Sequence, residues 1–595
     1  MSMGLGIKPP KTSTTAVAMA PSTLDLFILT FNCAKNFINP PVFAAHLHGA
    51  LSQNATGLPD LVVFSLQEVA PLSYAFIGSY FLNPYYARFG EALNLASAKV
   101  LATTDGHDGD VPSTGRAAAG SPPYTLVRAK NVGMTAILMY ARDATAIQRI
   151  EEAECGFGAA DMGNKGAVGL RVTWSGQHQA QQLEGETATG AEQVKTTELT
   201  FVAAHLAAME WNLKKRNANW RSIVAGLTFA NPRAILPGVF PANRASPPPD
   251  RSGAGDIAPR LPTGDSPDPS EEEPESSPSS DADNDEGQEG DTHPLLSEEN
   301  RDPINGNDAS TLAALQQISI YKPSSHLFVA GDLNYRIAST TPPPLAAFPS
   351  FDPSSEHHYA TFLPQDQLTR ERLAGRTLHG LSEANIAFGP TYKFDILPPV
   401  APGAAEEEGN GDSAATAAAE TTGAGEARWK FAPHRWPGWC DRVLYLDVPR
   451  SVPGRSDSED GGKDDDSNDG RINEKVDVSA YDALPVVATS DHRAVFFRAR
   501  VPLLGEDEMR SSLAAAALRE EDEDSSRGPA VGVVDPRLRL PVPVDVHAWE
   551  RRAAARRKEM IVGWTGFLWS TREGAIVLAT VLALGVGSWW LMRVW

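Results

Sequence analysis

Cysteine is scarce in this chain of 595 residues, and its spacing argues against two common ways of stabilising a fold. The three cysteines, Cys33, Cys155 and Cys440, are scattered and follow neither a metal-finger nor a disulfide spacing. Scattered cysteines of this kind are typical of proteins from a reducing compartment. The sequence therefore favours a protein that folds in such a compartment.

Positive charge is also in short supply. The chain has 52 lysine and arginine residues against 74 aspartate and glutamate residues, which gives a formal net charge of -22. A general basic surface for holding a nucleic-acid backbone is thereby excluded, and we expect no nucleic-acid partner. A local basic pocket for a smaller anion stays open.

Long apolar runs are rare, and the first twenty residues lack the apolar core that a secretory signal needs. The exception is the uncharged, mostly apolar run over residues 574–592, which as a helix would extend about 28 Å at a rise of about 1.5 Å per residue. It predicts a transmembrane tail anchor, preceded by a linker over residues 503–559 whose basic segment "RRAAARRKEM" marks the cytosolic side. We expect the endoplasmic reticulum membrane, because its bilayer is thin, with the mitochondrial outer membrane as the alternative.

Proline and glycine, by contrast, are plentiful and collect with serine and acidic residues in a few segments. Such segments bury too little apolar surface to offset the entropy of ordering them, so we expect disorder there. The disordered segments predicted are the N-terminus, residues 1–21, and three inserts at about 243–310, 406–427 and 451–475. The sequence leaves the protein partners of the acidic inserts unknown.

Strand-length apolar runs, such as "LDLFILTF", "LVVFSL" and "SHLFVAGDL", recur between residues 24 and 500. Helical patterns separate some of them, the clearest being "LAAMEWNLKKRNANWRSIVAGL", in which apolar residues return every three or four positions. Mixed strands and helices indicate one α/β domain over residues 22–502, interrupted by the inserts.

Polar residues that can carry chemistry follow or precede these strands. They are Asn32, Glu68, His205, Asp332, Asn334, Asp441, Asp491 and His492. Taken singly, each has a structural explanation: Glu68 as a helix cap, His205 as a core histidine, Asp441 as a partner of Arg442. Together they contain what metal-assisted hydrolysis of a phosphate ester needs, namely oxygen ligands for a hard cation, a base for water and donors for the phosphate.

The stretch "VAGDLNYRI" leaves two interpretations open for Asp332 and Asn334. On an extended segment the two side chains would point the same way from the end of a strand. In an Asx-type turn they would instead hydrogen-bond to nearby backbone.

The chain resembles the inositol polyphosphate 5-phosphatase family in the order and the residues of eight motifs: "TFNCAKN", "SLQEV", "MGNKGAVGLRV", "AAHLAAMEWNLKKRN", "GDLNYRI", "PTYKFD", "RWPGWCDRVLY" and "SDHRAVFF". The resemblance, to a tail-anchored fungal-type member, spans roughly residues 22–502. It implies a DNase I-like fold, in which two mainly antiparallel sheets form a β-sandwich flanked by helices, with the active site at one end.

The resemblance also implies roles for the polar residues. Glu68 would hold Mg²⁺ with Asn32 beside it, and Asp491 would lie near the metal. Asp332 would take a proton from the attacking water, and Asn334 would orient that water or a phosphate oxygen. On this resemblance we expect the two side chains to share one face, as in the extended interpretation. The remaining implied contacts are those of His205 and His492 with the scissile phosphate, with His492 held by Asp441.

Substrate recognition is implied in the same way. Tyr392, Lys393 and Arg435 match the residues that bind an inositol 4-phosphate, although "WKFAPH" before Arg435 is poorer in basic residues than the family pattern. Asn164 and Lys165 match a loop that faces the 1-phosphate of a lipid. The implied reaction is Mg²⁺-dependent removal of the 5-phosphate from phosphatidylinositol 4,5-bisphosphate in a membrane. The alternatives are a catalytically silent membrane adaptor and another phosphodiesterase of the same superfamily.

Overall fold

The computed structural model describes residues 23–104, 122–175, 196–235, 309–398, 427–448, 475–524 and 535–595. These residues all belong to one compact unit, residues 1–235 and 308–595. The predicted disordered N-terminus and nearly all of the three predicted inserts lie outside the described residues. The predictions made for them therefore stay predictions.

The described strands form two larger sheets and one short pair. They are β1 (Thr23–Asn32), β2 (Leu61–Gln67), β3 (Thr125–Val132), β4 (Thr135–Ala141), β5 (Ile147–Gly156), β6 (Gly166–Ser175), β7 (Thr196–His205), β8 (Ser325–Asp332), β9 (Phe394–Ile396), β10 (Trp429–Phe431), β11 (Asp441–Leu446), β12 (Asp477–Ala483) and β13 (Val495–Pro502). One sheet has the order β12-β13-β1-β2-β4-β3, the other β11-β8-β7-β6-β5, and β9 pairs with β10. Neighbouring strands run antiparallel except for β1 with β2 and β7 with β8.

Strand β1 shows why the apolar runs of the sequence are nearly continuous. Leu26 and Ile28 point into the core between the two sheets, whereas Phe27, Leu29 and Phe31 point into a second core on the outer face. Successive side chains of a strand face opposite sides, so a strand that is covered on both faces is apolar at almost every position. The predicted sandwich with helices outside is therefore confirmed.

The described helices are α1 (Pro40–Ser52), α2 (Leu72–Ile77), α3 (Ser79–Thr104), α4 (Leu213–Gly226), α5 (Pro232–Ile235), α6 (Ala309–Ile318), α7 (Gln367–Leu373), α8 (Glu506–Asp524), α9 (Ala548–Ser570) and α10 (Arg572–Val594). Helices α1 and α3 cover the outer face of the six-stranded sheet, and α4 covers that of the five-stranded sheet through Trp220, Ile223 and Val224. Both sheets thus bury two faces.

The segment predicted as a linker departs from that expectation. Residues 506–524 form α8, and most of the remainder, from residue 535 onward, packs on the sandwich and continues into α9. Helix α9 lies against α2 and β5, and the side chains of Arg552 and Glu559 in its basic segment are buried. The segment predicted as a linker with a basic juxtamembrane part is thus helical and packed over much of its length, because paired charges allow a charged helix to be buried.

Helix α10 contains the apolar run predicted to cross a membrane. It begins after Thr571, whose hydroxyl accepts a hydrogen bond from the Gly574 N–H at 2.9 Å, and most of its side chains are exposed. Among the described residues, α10 is the one helix that is both long enough and apolar enough to span a membrane. Length and composition alone support that assignment.

We expect Arg498 to be a major source of stability in the six-stranded sheet. This side chain is 1% exposed and donates to Asp25 Oδ1 at 2.9 Å and Oδ2 at 2.7 Å, and to the carbonyls of Leu51 at 2.5 Å and Gly57 at 2.7 Å. Arg498→Met should lower the free energy of unfolding by about 3 kcal/mol, because it leaves a carboxylate and two carbonyls without their donor. Chemical denaturation of the full chain in detergent measures the change.

The matched control is Arg500→Met on the same strand, where the side chain is exposed. That change should stay within about 0.5 kcal/mol of the original protein. Equal losses from the two substitutions would contradict the assignment.

Candidate active site

Strand register brings the polar strand ends of both sheets together. In the five-stranded sheet Asp332 at the end of β8 is paired with His205 at the end of β7 and with Asp441 at the start of β11. In the six-stranded sheet Asn32 at the end of β1 is paired with Gln67 at the end of β2, immediately before Glu68. Residues far apart in the sequence thus meet at one end of the sandwich.

The Asp332 carboxylate joins the two sheets and is 1% exposed. Its Oδ2 accepts a hydrogen bond from Asn32 Nδ2 at 3.0 Å and lies 3.4 Å from His205 Nε2 and 3.9 Å from His492 Nε2. Burial alone would raise the pKa of Asp332, but the His205 hydrogen bond and the charges of His492 and Lys165 outweigh it and hold the pKa below the usual range. The carboxylate is therefore an anion at neutral pH.

The turn after Asp332 decides between the two interpretations of "GDLN". Strand β8 ends at Asp332, and Asn334 has a positive φ of 58°, so the extended geometry in which both side chains point the same way is wrong. The Asn334 N–H donates to Asp332 Oδ1 at 3.1 Å, which is the Asx-type turn. The Asn334 side chain is occupied elsewhere, donating to the Leu206 carbonyl at 3.2 Å and accepting from Arg336 Nη2 at 2.6 Å.

Asp441 and His492 form a buried pair beside Asp332. His492 Nδ1 lies 2.9 Å from Asp441 Oδ2, which also accepts from the Thr391 hydroxyl at 2.8 Å. Burial would lower the pKa of His492, but the charges of Asp441 and Asp332 prevail and raise it to about 9. The pair therefore presents an imidazolium at neutral pH, with Nε2 directed toward Asp332.

A row of alternating charges, formed by Lys35, Glu68 and Lys165, ends at His205. Lys165 Nζ is 2.5 Å from His205 Nε2 and 3.9 Å from Glu68 Oε1, and Lys35 Nζ is 3.3 Å from Glu68 Oε2. Burial and the Lys165 charge lower the pKa of His205. Burial would raise the pKa of Glu68, but Lys165, His205 and Lys35 together lower it. Glu68 is thus an anion held next to cations.

The oxygen donors at this end of the sandwich suit a hard divalent cation. Glu68 contributes a carboxylate and Asn32 an amide oxygen, which are the ligand types that Mg²⁺ prefers. A second set, Asp332, Asp441 and His492, has one donor atom from each residue within 4.8 Å of the others. Both sets are engaged in this structure. His492 is hydrogen-bonded to Asp441, the Asn32 amide oxygen accepts from the Ala34 N–H at 3.0 Å, and Glu68 is paired with Lys35 and Lys165.

Two of the three residues predicted to bind the 4-phosphate, Tyr392 and Lys393, lie beside His492 and Asp491. The Tyr392 ring packs on the His492 ring at 4.5 Å between centroids, and Lys393 Nζ lies 3.3 Å from Asp491 Oδ2. Arg435 Nη1 lies 3.3 Å from the buried Glu210 carboxylate. Asp491, expected near the metal, is thus paired with Lys393 in this structure.

The residues predicted to face the 1-phosphate occupy the loop before β6. Lys165 reaches His205 and Glu68, as described above. The Asn164 side chain lies so close to Gly158 that a Cβ added to this glycine would overlap Asn164 Oδ1. Asn164 Oδ1 is buried and has no hydrogen-bond partner among the described residues. Within the described ranges, no hydrogen bond or ion pair joins the Asn164 side chain to another predicted site residue.

Sequence reasoning missed several residues that hold the site together. Arg336 fixes Asn334 and lies 4.4 Å from the Tyr392 ring centroid, Thr391 holds Asp441, and Lys35 faces Glu68. All three stand inside motifs already singled out, "GDLNYRI", "PTYKFD" and "TFNCAKN". Their position beside the candidate residues was the available signal, but only the fold shows which partner each one contacts.

Comparison with known proteins supports a family assignment. The model of the family described as Endonuclease/Exonuclease/phosphatase family 2 matches residues 29–245 and 288–498. A type I inositol polyphosphate 5-phosphatase 5 from Arabidopsis thaliana is 34% identical over 115 residues, covering 19% of this chain and 16% of that protein. The human phosphatidylinositol 3,4,5-trisphosphate 5-phosphatase 1 is 30% identical over 135 residues, covering 23% and 9%. The chain thus spans less than a fifth of the length of these curated relatives.

Among solved structures, the inositol polyphosphate 5-phosphatase domain of SPsynaptojanin, in complex with inositol (1,4)-bisphosphate and calcium ion, is similar with 17% identity. The match covers 85% of this chain and 94% of that domain, with a TM-score of 0.42.

We expect Asp441 to control the protonation of His492. In Asp441→Asn the pKa of His492 should fall from about 9, because the substitution removes the largest charge that opposes burial while that of Asp332 remains. The charged pair should exist between about pH 6, to which burial raises the pKa of Asp441, and about pH 9, and the stabilisation contributed by the His492 proton should be lost as the pH rises through about 9. NMR titration of ¹⁵N-labelled histidines in the metal-free protein measures the pKa.

His326 serves as the internal control for this titration. Burial lowers its pKa to about 4, and its Nε2 lies 3.0 Å from the Pro502 carbonyl rather than in the site. Its signal should titrate alike in both proteins. An unchanged His492 titration in Asp441→Asn would contradict the assigned pairing.

Proposed function

Because this chain belongs to the endonuclease/exonuclease/phosphatase family 2, we propose that it is a metal-dependent hydrolase that removes the 5-phosphate of phosphatidylinositol 4,5-bisphosphate. The observation that carries the proposal is the Asp332 carboxylate, buried as an anion between Asn32, His205 and protonated His492. The local similarities to 5-phosphatases support the choice of the 5-phosphate.

The proposed chemistry assigns each side chain a task near one phosphorus. Asp332 orients the attacking water and takes its proton, and Asn334 acts by holding Asp332 through its backbone N–H. The His492 imidazolium and His205 contact the phosphate, and Asp441 keeps His492 charged. Glu68 and Asn32 would hold Mg²⁺, which when bound supplies positive charge for the developing phosphate oxygens.

Substrate selection rests on fixed cations around this centre. We propose that Tyr392, Lys393 and Arg435 bind the 4-phosphate, with Asp491 and Glu210 holding the two cations in place until the substrate arrives. Lysine and arginine suit this task because they stay charged and donate several hydrogen bonds. Asn164 and Lys165 would face the 1-phosphate.

We also propose that α10 anchors the enzyme in the endoplasmic reticulum membrane, with the catalytic domain in the cytosol. Arg557 and Lys558 are exposed on the preceding helix, which fits the positive-inside rule. Anchoring would confine the active site to the surface that contains its lipid and raise its effective concentration there.

Asp332→Ala should lower turnover of phosphatidylinositol 4,5-bisphosphate by at least about 100-fold, because it removes the proton acceptor from the attacking water. Phosphate release is measured with Mg²⁺ and, in parallel, with excess EDTA, which should abolish it. Asp507→Ala, an exposed position on α8, is the control and should behave like the original protein. Turnover within a few-fold of normal in Asp332→Ala would refute the role. If the original protein released no phosphate at all, the adaptor alternative would replace the enzyme.

Deleting the candidate span should release the protein from membranes. A fluorescent fusion at the N-terminus of the full chain should sediment with endoplasmic reticulum membranes, whereas the same fusion ending at Glu573 should remain soluble after fractionation. Sedimentation with mitochondria would favour the alternative location. Equal solubility of both fusions would exclude anchoring by α10.

A further inference from the structure

Helix α9 carries a buried carboxylate that the proposed chemistry does not use. The Glu559 side chain is 0% exposed, and its Oε1 accepts a hydrogen bond from the Gly163 backbone N–H at 2.8 Å. Arg552 donates to both oxygens, at 2.6 Å to Oε1 and 2.8 Å to Oε2, and Arg556 Nη1 lies 3.3 Å from Oε2. A charge buried this completely needs several donors, and it has them.

Gly163 immediately precedes the two residues that would face the 1-phosphate. Its carbonyl accepts from the Met134 N–H at 3.2 Å, and the Met134 carbonyl accepts from the Val69 N–H at 3.2 Å, next to Glu68. A Cβ at Gly163 would lie 2.8 Å from the Gly133 nitrogen, so the loop is wedged against the β3–β4 turn. Glu559 therefore holds the other side of a loop that leads directly into the site.

The same helix is held firmly to the sandwich and leads to α10. Gly563 packs against Phe76 and Ile77 of α2, and Arg556 donates to the Phe76 carbonyl at 2.6 Å. Phe567 lies in an aromatic cluster, 6.1 Å from the Tyr74 ring and 5.2 Å from the Phe81 ring between centroids. Only Thr571 separates α9 from the candidate membrane span.

We propose that Glu559 is a positioning residue for the Asn164–Lys165 loop, so that docking of the membrane-proximal helix α9 sets the geometry of lipid recognition in the active site. The inference rests on the proposed function for the identity of the substrate. The contact between Glu559 and Gly163 itself does not depend on that function. A catalytic domain with α9 displaced would keep Asp332 and His492 in place but lose the loop.

The principal test uses the full chain in detergent micelles and three variants. Arg552→Leu with Glu559→Leu removes this buried pair together. Their other charged partners stay satisfied, since Glu154 keeps Lys130 at 3.5 Å and Arg556 keeps the Phe76 carbonyl at 2.6 Å. Glu559→Gln keeps an oxygen that can accept from Gly163, and Glu550→Gln changes an exposed carboxylate on the same helix. Hydrogen–deuterium exchange over residues 157–165 should rise at least tenfold in the double variant, much less in Glu559→Gln and not at all in Glu550→Gln.

A kinetic comparison separates positioning from a general loss of stability. For dioctanoyl phosphatidylinositol 4,5-bisphosphate, kcat/KM should fall about tenfold in the double variant, mainly through KM. For inositol 4,5-bisphosphate, which has no 1-phosphate, the fall should be at most about threefold. Equal losses on both substrates with unchanged loop exchange would overturn the proposal.

A second pair of variants tests docking of α9 without touching a charge. In Gly563→Ala the new Cβ would lie 3.0 Å from Phe76 Cβ and 3.1 Å from the Ile77 nitrogen, whereas in Gly566→Ala it would lie 3.5 Å from Ser73 Cβ, an ordinary contact. Both gain the same helix propensity. Only Gly563→Ala should raise loop exchange, and equal exchange in both would count against the proposal.

The two proposals fail in different ways. If the original protein releases no 5-phosphate, the proposed function fails, yet the exchange measurements still decide whether Glu559 holds the loop. If the original protein is active and the double variant shows the same exchange and substrate preference, the positioning role alone is overturned.

Discussion

The buried negative charge of Asp332 is the constraint around which this end of the molecule is arranged. A carboxylate with 1% exposure costs several kilocalories per mole unless donors and positive charges surround it. Asn32 reaches it from the six-stranded sheet, His205 from the five-stranded sheet, and His492 from the segment before β13. The need to satisfy one anion therefore links the two sheets at this end of the sandwich.

Backbone geometry around this anion is strained. Glu68, Asn334 and Lys35 have positive φ values of 46°, 58° and 64°. Asparagine tolerates this region, but for the other two it costs about 1–2 kcal/mol each. These turns direct side chains out of strand ends toward the centre, where a regular strand would alternate them to opposite faces. Strain of this kind persists only where surrounding contacts over-determine the conformation, as the Asp332 and Arg336 hydrogen bonds do for Asn334.

The C-terminal part shows how a local pattern can mislead. The segment "RRAAARRKEM" is typical of a basic flank beside a membrane span, and Arg557 and Lys558 are indeed exposed. The same segment contains Glu559, whose buried carboxylate pairs with Arg552 and Arg556 and accepts from the Gly163 N–H. Whether a charge faces solvent or is buried depends on a partner, and here one partner, the Gly163 N–H, lies 396 residues away.

The apolar runs and helical patterns of the sequence determined a mixed α/β domain, the resemblance of its motifs to a known family implied the sandwich, and the same motifs determined which residue types gather at the strand ends. Its motifs were sufficient to select Asn32, Glu68, His205, Asp332, Asp441 and His492. The direction of Asn334 and the pairings of Asp491 with Lys393 and of Glu559 with Gly163 were decided only by the tertiary structure. Hydrogen bonds and ion pairs form between groups that the fold brings within about 3 Å, and a sequence pattern contains no information on that distance.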